Sequence, residues 1–448
     1  MTLDMTRGKP LPLLIRYALP LMLSALLQQC YTLADGIIVG RLLGEASFAA
    51  VGSAGQLHSF PVSMLFGLSI GFGVPLAQRF GAGDRPGFRR HLGSAAVLTL
   101  IAGLLLTLAG TLCLPQLLAL VRTPPELTGH TTPYLRMLWL GLTVTAVLNL
   151  LTAALHAVGD SKTPFTALIL SSVMNIVLDI VCILMLGMGV TGAALATVLA
   201  QAAAAAWCLR RLAGSRDLLP RRRDFRPDRK ACRELLRLGI PQLLCHGVTA
   251  MGEVFVQAAI NGFGVSFVTG MTAGRRYFSL LNVVGNGLEG ALATFVGQNA
   301  GAREPARIRR GVRTTALTGI AASVVIAAAV LLLAEPLIGF LLPDGHPEAV
   351  AAGVASLRVE AVFLVFLYML CEFRAAVQGM GNALVPMLSG FLELGMRLGA
   401  VALLPMQFGQ QGLYFTDGAA WVAAAALVIA AYAVLIRKQP AAADASAA

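Results

Sequence analysis

Twelve long apolar runs dominate this sequence and restrict the folds open to it. Most of them reach the length of about twenty residues that carries an α-helix across the hydrocarbon core of a bilayer. Charged residues make up only 12% of the chain and hydrophobic residues 57%. The runs lack polar–apolar alternation, so we predict membrane-spanning helices and not the strands of a barrel. The predicted spans cover residues 11–40, 46–78, 92–120, 131–156, 163–186, 190–212, 236–261, 267–298, 314–342, 355–378, 385–407 and 415–436.

Lysine and arginine residues concentrate on alternate connections between these runs. The rich connections include residues 7–9, 79–90, 210–237 and 437–438. Connections of this kind stay in the cytoplasm, so we expect a multi-pass membrane protein with both termini cytoplasmic. The net charge of +12 then reflects membrane orientation, and without a recognisable nucleic-acid module we expect no nucleic-acid partner.

The longest polar stretch joins the sixth and seventh predicted spans. It has Arg221, Arg222 and Arg223 at its centre. We interpret residues 213–235 as a basic cytoplasmic linker in contact with the head groups of anionic membrane lipids. The Ala-rich end, residues 437–448, is predicted to be a disordered tail.

The two halves of the sequence repeat one another. Residues 78–84 (QRFGAGD) match residues 298–304 (QNAGARE), and residues 48–55 (FAAVGSAG) resemble residues 267–274 (FVTGMTAG). Six spans per half is an even number, so the halves share one orientation and form a parallel repeat. We therefore predict an all-α membrane fold of twelve helices in two six-helix bundles, residues 1–212 and 236–436, related by a pseudo-two-fold axis.

Nothing in the motifs points to an enzyme or a bound cofactor. The seven cysteines are scattered, without a C-x-x-C pair, and predict neither disulfides nor a metal site. No metalloprotease, nucleophile-elbow or P-loop pattern occurs. Energy for any transport is therefore expected from an ion gradient.

Polar residues inside the apolar runs of the first half form a candidate cation site. Placing a carboxylate in a membrane helix costs about 2.5–3.5 kcal/mol on insertion scales. The presence of Asp35 and Asp179 within predicted spans therefore indicates that they have a function. Asn175 lies four residues before Asp179 and shares its helix face. Their oxygens suit a hard cation such as Na⁺, and two carboxylates in one desolvated pocket equally suit a proton. Thr197 and Tyr134 add hydroxyl groups, with simple helix packing as the alternative for these two.

Pro20, half a membrane before Asp35, is predicted to kink the first helix. Acids recur in the second half, where Glu393 and Arg397 have the spacing of an intrahelical ion pair. We leave open whether that pair is structural or contacts a substrate. The candidate substrate-cavity residues are Gln28, Tyr31, Met251, Glu253, Phe278, Glu289, Glu393 and Arg397.

Several motifs resemble those of the MATE multidrug and toxic compound extrusion transporters of the bacterial NorM and DinF type. The run from Pro20 through Asp35 to Gly44, the stretch 159–164 (GDSKTP) and the stretch 297–302 (GQNAGA) carry the likeness, which spans about residues 10–436. The resemblance implies a V-shaped exporter driven by Na⁺ or H⁺. It also implies a cation site at Asp35, Asn175, Asp179 and Thr197 with Tyr134 beside it.

The leading hypothesis is a monomeric multidrug antiporter for amphipathic, often cationic, small molecules, with Na⁺ or H⁺ as the coupling ion. The alternative is a lipid-linked saccharide flippase of the same superfamily, which needs a cationic cavity for phosphate. Arg136, Arg275, Arg276, Arg374 and Arg397 keep that alternative open, while the Asp35–Asp179 site argues against it. A membrane-embedded enzyme would need clustered catalytic groups and a sizeable soluble loop, and the sequence has neither.

The charge pattern predicts that the 213–235 linker faces the cytoplasm. A Ser215→Cys variant should resist an impermeant thiol reagent in intact cells and react after permeabilisation. Gly345→Cys, in a connection predicted to lie outside, should react in intact cells, and the native cysteines set the background. Labelling of Ser215→Cys from outside would show that the topology is inverted.

Overall fold

Thirteen α-helices make up nearly all of the described structure. The computed structural model describes residues 3–120, 125–215, 217–343 and 345–438; of the predicted tail, residues 439–448 lie outside this range. The fold class predicted from the apolar runs is confirmed. In chain order the helices are α1 (Pro10–Gly81), α2 (Arg85–Leu120), α3 (Pro125–Leu140), α4 (Leu142–Ala157), α5 (Lys162–Ile180), α6 (Gly189–Ala213), α7 (Arg229–Asn261), α8 (Val265–Leu281), α9 (Val283–Gly301), α10 (Pro305–Leu341), α11 (Pro347–Gly379), α12 (Leu384–Phe408) and α13 (Thr416–Leu435).

The thirteen helices correspond to the twelve predicted spans because one helix contains two spans, and two other spans each consist of two helices. Helix α1 is broken at Gly44, whose φ of 82° only glycine adopts without strain, so it supplies two spans, Pro10–Gly44 and Ala50–Gly81. Helices α3 and α4 form one span bent by 45°. Helices α8 and α9 meet at Asn282 and together match the single predicted span 267–298. Within the described residues, nine helices are long and apolar enough to cross a membrane, or ten with the α3–α4 pair. Counting α8 with α9 as one span, and α12 and α13 separately, gives the twelve predicted spans, six in each half.

The helices extend beyond the apolar runs that predict them. Helix α7 begins at Arg229 and α10 at Pro305, whereas the runs begin at residues 236 and 314. Charged residues next to a span are good helix formers, and their backbone continues the hydrogen-bond ladder into the polar zone. Hydropathy therefore locates each span but underestimates the length of its helix.

Two compact units divide the chain, and they differ from the two sequence halves. The first consists mainly of Leu23–Leu243, and the second combines Asp4–Met22 with the chain from Leu244 onward. The chain passes from one unit to the other shortly after Pro20 and again shortly after Pro241. These two prolines are separated by nearly the same number of residues as the repeated stretches 78–84 and 298–304, so they occupy corresponding positions. The first part of α1 therefore packs within the second unit, and the first part of α7 within the first.

The GQNAGA stretch of the second unit anchors the segment before α1. The Met5 backbone N–H donates to Gln298 Oε1 at 2.8 Å, and Asn299 Nδ2 donates to the Met5 carbonyl at 3.1 Å. Arg307 donates to the carbonyls of Met5 at 3.0 Å and Gly8 at 2.9 Å. This motif has a structural role, because it fixes where the first helix begins.

The start of α7 is fixed in the first unit by an ion-pair cluster. Arg79, at the end of α1, pairs with Glu234 at 3.1 Å and with Asp84 at 3.3 Å. His91 Nε2 lies 3.0 Å from the same Glu234 carboxylate, and its Nδ1 lies 2.8 Å from the Gly87 carbonyl oxygen. Each unit thus secures the beginning of a long helix with polar contacts near a repeated motif.

Part of the basic linker forms a short 3₁₀ turn, Arg222–Phe225, on the surface of the first unit. Asp224 is buried, accepts from the Arg221 backbone N–H at 2.8 Å and lies 3.9 Å from Arg89. The neighbouring arginines and Phe225 are exposed. One buried carboxylate therefore holds the linker in place while its basic groups face outward.

A close helix crossing within the first unit gives a stability prediction. A Cβ atom added at Gly71 of α1 would lie 2.5 Å from the Gly239 Cα atom and 2.6 Å from the Leu238 carbonyl oxygen on α7. Overpacking of this kind costs about 1–3 kcal/mol, so Gly71→Ala should lower the apparent Tm of the detergent-purified protein by several degrees. Gly395→Ala, where a Cβ meets nothing within 4 Å, is the matched control. Equal Tm values for both variants would contradict this packing.

Candidate functional site

Three helices of the first unit bring the predicted polar cluster together. The first arm of α1 supplies Tyr31 and Asp35, α5 supplies Asn175 and Asp179, and α6 supplies Thr197. A spacing of four residues places Asn175 and Asp179 on one face of α5, as predicted, and Tyr31 and Asp35 on one face of α1. Asn175 and Asp179 have no exposed surface, and Asp35 is partly buried. The residues singled out from sequence are therefore neighbours in space.

The backbone changes form immediately after Asp179. Helix α5 ends at Ile180, and residues Val181–Met185 form a π-helical turn. A π turn inserts an extra residue per turn, which rotates the side chains that follow, and such turns are frequent at functional sites. The sequence gives no signal for this turn.

The Asn175 amide links the cluster across two helices. In one orientation its Nδ2 donates to Thr197 Oγ1 at 3.3 Å. In the other, Nδ2 donates to Asp179 Oδ2 at 3.0 Å and to Tyr31 Oη at 3.3 Å, and Oδ1 accepts from the Thr197 backbone N–H at 3.1 Å. Amide orientation is assigned from the hydrogen-bond network, and we adopt the second because it satisfies both ends of the amide.

Asp35 and Asp179 lie close enough for their carboxyl groups to share a hydrogen bond. Two ionised carboxylates only accept, so such a bond requires a proton on one of them. The second oxygen of Asp179, Oδ1, has no hydrogen-bond partner. Tyr134 of α3 is buried and within electrostatic range of both acids. The two carboxyl groups thus offer a position for one proton between them, and Asp179 Oδ1 is an oxygen that a cation could contact.

The donor set fits a monovalent cation or a proton. Carboxylate, amide and hydroxyl oxygens are the ligands that hard cations take. Within the described residues there is no group of three or more His, Cys, Asp or Glu side chains of the kind that holds a transition metal. The chemistry of these oxygens therefore suits H⁺ and Na⁺ alike.

Pro20 and Gln28 lie on α1 before this cluster. Pro20 is buried in the part of α1 that belongs to the second unit, and the non-helical backbone angles within α1 are at Gly44. A kink at Pro20 therefore stays a prediction. The Gln28 carbonyl accepts from the Thr32 hydroxyl at 2.9 Å, and the residue is exposed.

The second unit contains a chain of ion pairs. Arg374 pairs with Glu393, and Glu393 lies 3.7 Å from Arg397 on the next turn of α12. Arg397 Nε also donates to Asp417 at 2.8 Å, and Asp417 pairs with Arg275 at 3.5 Å. Glu393 and Arg397 thus form the intrahelical ion pair that their spacing predicts. Sequence reasoning missed Asp417, because it lies at the start of α13 and carries no motif.

The remaining candidate residues of the second unit are dispersed around this chain. Met251 and Glu253 of α7 are exposed, and Phe278 of α8 stacks on Trp421 with ring centroids 5.3 Å apart. Glu289 of α9 forms a side-chain hydrogen bond with Cys371. Two further buried acids, Glu360 and Glu372, have carboxylate oxygens without hydrogen-bond partners, and they were not among the candidate site residues.

Repeated membrane-spanning helices around a buried polar cluster define a class of protein, the polytopic membrane transporters. The family model MatE matches residues 20–181 and 248–401, and the chain belongs to this family. The matched ranges include Asp35, Asn175, Asp179, Glu253 and Arg397.

Named relatives and a solved structure agree with this membership along nearly the whole chain. The chain is 26% identical to the "Probable multidrug resistance protein YpnP" of Bacillus subtilis, covering 92% of both proteins. It is 25% identical to the "Probable multidrug resistance protein NorM" of Thermotoga maritima, covering 93% of this chain and 89% of that protein. A crystal structure of MATE in the bent conformation matches with a TM-score of 0.89 and 25% identity over 97% of each chain.

The shared hydrogen bond between Asp35 and Asp179 predicts a protonated carboxyl group at neutral pH. In Asp179→Asn the amide can donate to Asp35 without a proton, so the protonated-carboxyl stretching band in the infrared spectrum should lose intensity relative to wild type. Asp217→Asn, an exposed position outside the cluster, should leave this band unchanged. An identical band in wild type and Asp179→Asn would show that the pair holds no proton.

Proposed function

We propose that this protein is a multidrug antiporter. It exports amphipathic, often cationic, small molecules while Na⁺ or H⁺ moves inward, and it works by alternating access. The observation that carries the proposal is the buried Asp35–Asp179 cluster in a chain of the MatE family whose relatives are named multidrug resistance proteins. The protein would need no cofactor and would act without enzymatic chemistry.

The cluster supports ion coupling because its state of charge can change. With one proton shared, two buried carboxyl groups hold a single negative charge. Loss of that proton leaves two negative charges with the Asn175 amide as a donor to Asp179. A membrane interior disfavours this state unless a cation such as Na⁺ replaces the proton. Asn175, Tyr31 and Thr197 supply the oxygens for that cation. Ion binding would then favour whichever protein conformation best packs the neutralised pair.

A drug molecule would be linked to this ion by the conformational equilibrium and not by direct contact. A ligand shifts an equilibrium only through its different affinities for the two states, and the effect is reciprocal. We propose that α1 transmits the change, since it carries Asp35 and also Pro20, where a helix can bend. The drug would contact other residues, among them Met251, Glu253 and Phe278.

A lipid-linked saccharide flippase is a less favourable interpretation. Its diphosphate needs a strongly cationic cavity, but Arg275, Arg374 and Arg397 are already paired with two carboxylates in the second unit. A cluster of two acids in the first unit would also have no role in moving a polyanion.

The same proposal includes the cellular setting. The protein would be a monomer in a bacterial inner membrane, with both termini and the basic linker in the cytoplasm. The exposed arginines around Phe225 support contact between that linker and anionic lipid head groups. It would have no nucleic-acid partner.

We expect Asp35→Asn to abolish coupled export while the protein still inserts into the membrane. The variant removes one of the two carboxylates that exchange the ion, so efflux of a cationic dye from proteoliposomes should fall to the level of empty liposomes. The measurement imposes Na⁺ and H⁺ gradients separately, which also identifies the coupling ion.

Asp217→Asn is the matched control and should transport like wild type. Equal amounts of each variant are reconstituted and checked by size-exclusion profile. Full efflux by Asp35→Asn under both gradients would remove the coupling role from this cluster. If the wild-type protein exports the dye under neither the Na⁺ gradient nor the H⁺ gradient, the proposal that it is an antiporter is wrong.

A further inference from the structure

A histidine side chain belongs to the ion-pair cluster that fixes the beginning of α7 in the first unit. The side chain of His91, on α2, is only 8% exposed. Its Nδ1 lies 2.8 Å from the Gly87 carbonyl oxygen, and its Nε2 lies 3.0 Å from Glu234 Oε2. Both ring nitrogens are thus at hydrogen-bonding distance from an oxygen atom. The contact with Glu234 joins α2 to α7.

These two contacts indicate the protonation state of the ring. Glu234 also pairs with Arg79 at 3.1 Å, which favours its ionised form. A carbonyl oxygen and an ionised carboxylate can only accept hydrogen bonds, so each ring nitrogen must donate. A neutral imidazole has one N–H group, whereas the imidazolium ion has two. The arrangement around His91 is therefore that of a charged imidazolium paired with the Glu234 carboxylate.

The charged groups of the cluster agree with this state. Arg79, at the end of α1, lies between Glu234 and Asp84, which is 3.3 Å away in the turn before α2. Two carboxylates therefore face two cations when His91 is charged. With a neutral His91, these four side chains would carry one uncompensated negative charge. Arg89, two residues before His91, is paired with the basic linker instead.

Loss of the proton from His91 would weaken the contact with α7 in either neutral form of the ring. With the remaining hydrogen on Nδ1, the lone pair of Nε2 faces the Glu234 carboxylate, and two acceptors repel. With the hydrogen on Nε2, the ionic attraction to Glu234 is lost and the lone pair of Nδ1 faces the Gly87 carbonyl oxygen. Arg79 still holds Glu234 in both cases, so the attachment of α7 becomes weaker without being lost.

The position of the cluster exposes it to the pH on one side of the membrane. Histidine is the side chain that ordinarily changes its charge between about pH 5 and 8. The cluster lies between residues 79–90 and the end of the 213–235 linker, both predicted to be cytoplasmic. The side chains of Arg79, Asp84 and Glu234 are 38%, 34% and 36% exposed, so solvent reaches the cluster.

We propose that His91 senses cytoplasmic pH, tightening the attachment of α7 when the pH falls and thereby slowing transport. Helix α7 begins in the first unit and continues into the second shortly after Pro241, so a change of conformation that involves both units also involves this helix. A contact that is stronger in one conformation raises the free energy needed to leave it. The effect on transport rests on the proposed export function, whereas the pH-dependent contact does not. Where the imported ion is H⁺, slower turnover in an acidic cytoplasm would limit further entry of acid.

Hydrogen–deuterium exchange of the detergent-purified full-length protein tests the contact. His91→Phe keeps an aromatic ring without an N–H group, and His91→Gln keeps an N–H donor that does not titrate. At about pH 5.5, where histidine is mostly charged, the amides of residues 229–240 should exchange about two- to fivefold more slowly in wild type than in His91→Phe, the range that a partly exposed ion pair contributes. At about pH 8 the two should exchange alike, and His91→Gln should be protected at both. Comparison at equal pH cancels the intrinsic pH dependence of exchange.

Dye exchange across proteoliposomes with equal pH and Na⁺ on both sides tests the effect on transport. Without a gradient, the driving force does not change with pH. The ratio of the exchange rate at about pH 8 to that at about pH 5.5 should be about two- to fivefold larger for wild type than for His91→Gln or His91→Phe. His346→Gln, at an exposed position outside the cluster, is the matched control and should keep the wild-type ratio. The apparent Tm of each variant shows whether it is folded.

The two measurements separate this inference from the function on which its consequence rests. Equal protection of residues 229–240 in wild type and folded His91→Phe at the acidic pH would show that His91 does not hold α7. Protection that depends on pH, together with equal rate ratios for wild type and His91→Gln, would show that the contact is structural only. If the wild-type protein exchanges no dye at either pH, the proposed export function fails, and the hydrogen–deuterium exchange still decides whether the contact responds to pH.

Discussion

A polar group inside a membrane must find its partner within the protein, because hydrocarbon offers none. Most of this structure follows that constraint in simple ways, as when Thr111 and Thr315 donate to carbonyls four residues earlier at 2.7 and 3.0 Å. Ionisable side chains need more elaborate solutions, and the two compact units use different ones. The first pairs Asp35 with Asp179 through a hydrogen bond, and the second alternates arginines and acids along a chain.

Features of the structure that depend on the local sequence pattern could be predicted from the sequence. Apolar run length predicts the twelve spans, and the even number per half agrees with the repeat. Spacing by four residues correctly places Asn175 with Asp179 and Glu393 with Arg397. The convergence of Asp35, Asp179 and Thr197 from three helices needed more than spacing. The cost of placing acids in a membrane singles out Asp35 and Asp179, and the resemblance to MATE transporters implies that they form one site with Thr197.

Features that depend on contacts distant in sequence were beyond such reasoning. The break at Gly44 and the π turn after Asp179 involve backbone angles that composition does not specify. Asp417 follows a short 3₁₀ segment, and only tertiary packing brings it to Arg275 and Arg397. The close approach of Gly71 to Gly239, like that of Gly252 to Arg397, depends on how helices cross. Because many glycines occur in spans, their number alone does not identify the crowded ones.

The two solutions to the membrane constraint differ in how they respond to an ion. In the Asp35–Asp179 pair, gain or loss of a single H⁺ or Na⁺ would change the buried charge by a whole unit, and at low dielectric that change has a large electrostatic energy. In the ion-pair chain each acid lies between two arginines, so the opposite charges largely cancel and the chain has no comparable change of charge. A site of the first kind suits the binding and release of an ion, whereas the ion pairs of the second kind suit the fixing of helices against one another. Duplication of one helical bundle, followed by divergence of a few buried residues, is sufficient to produce both.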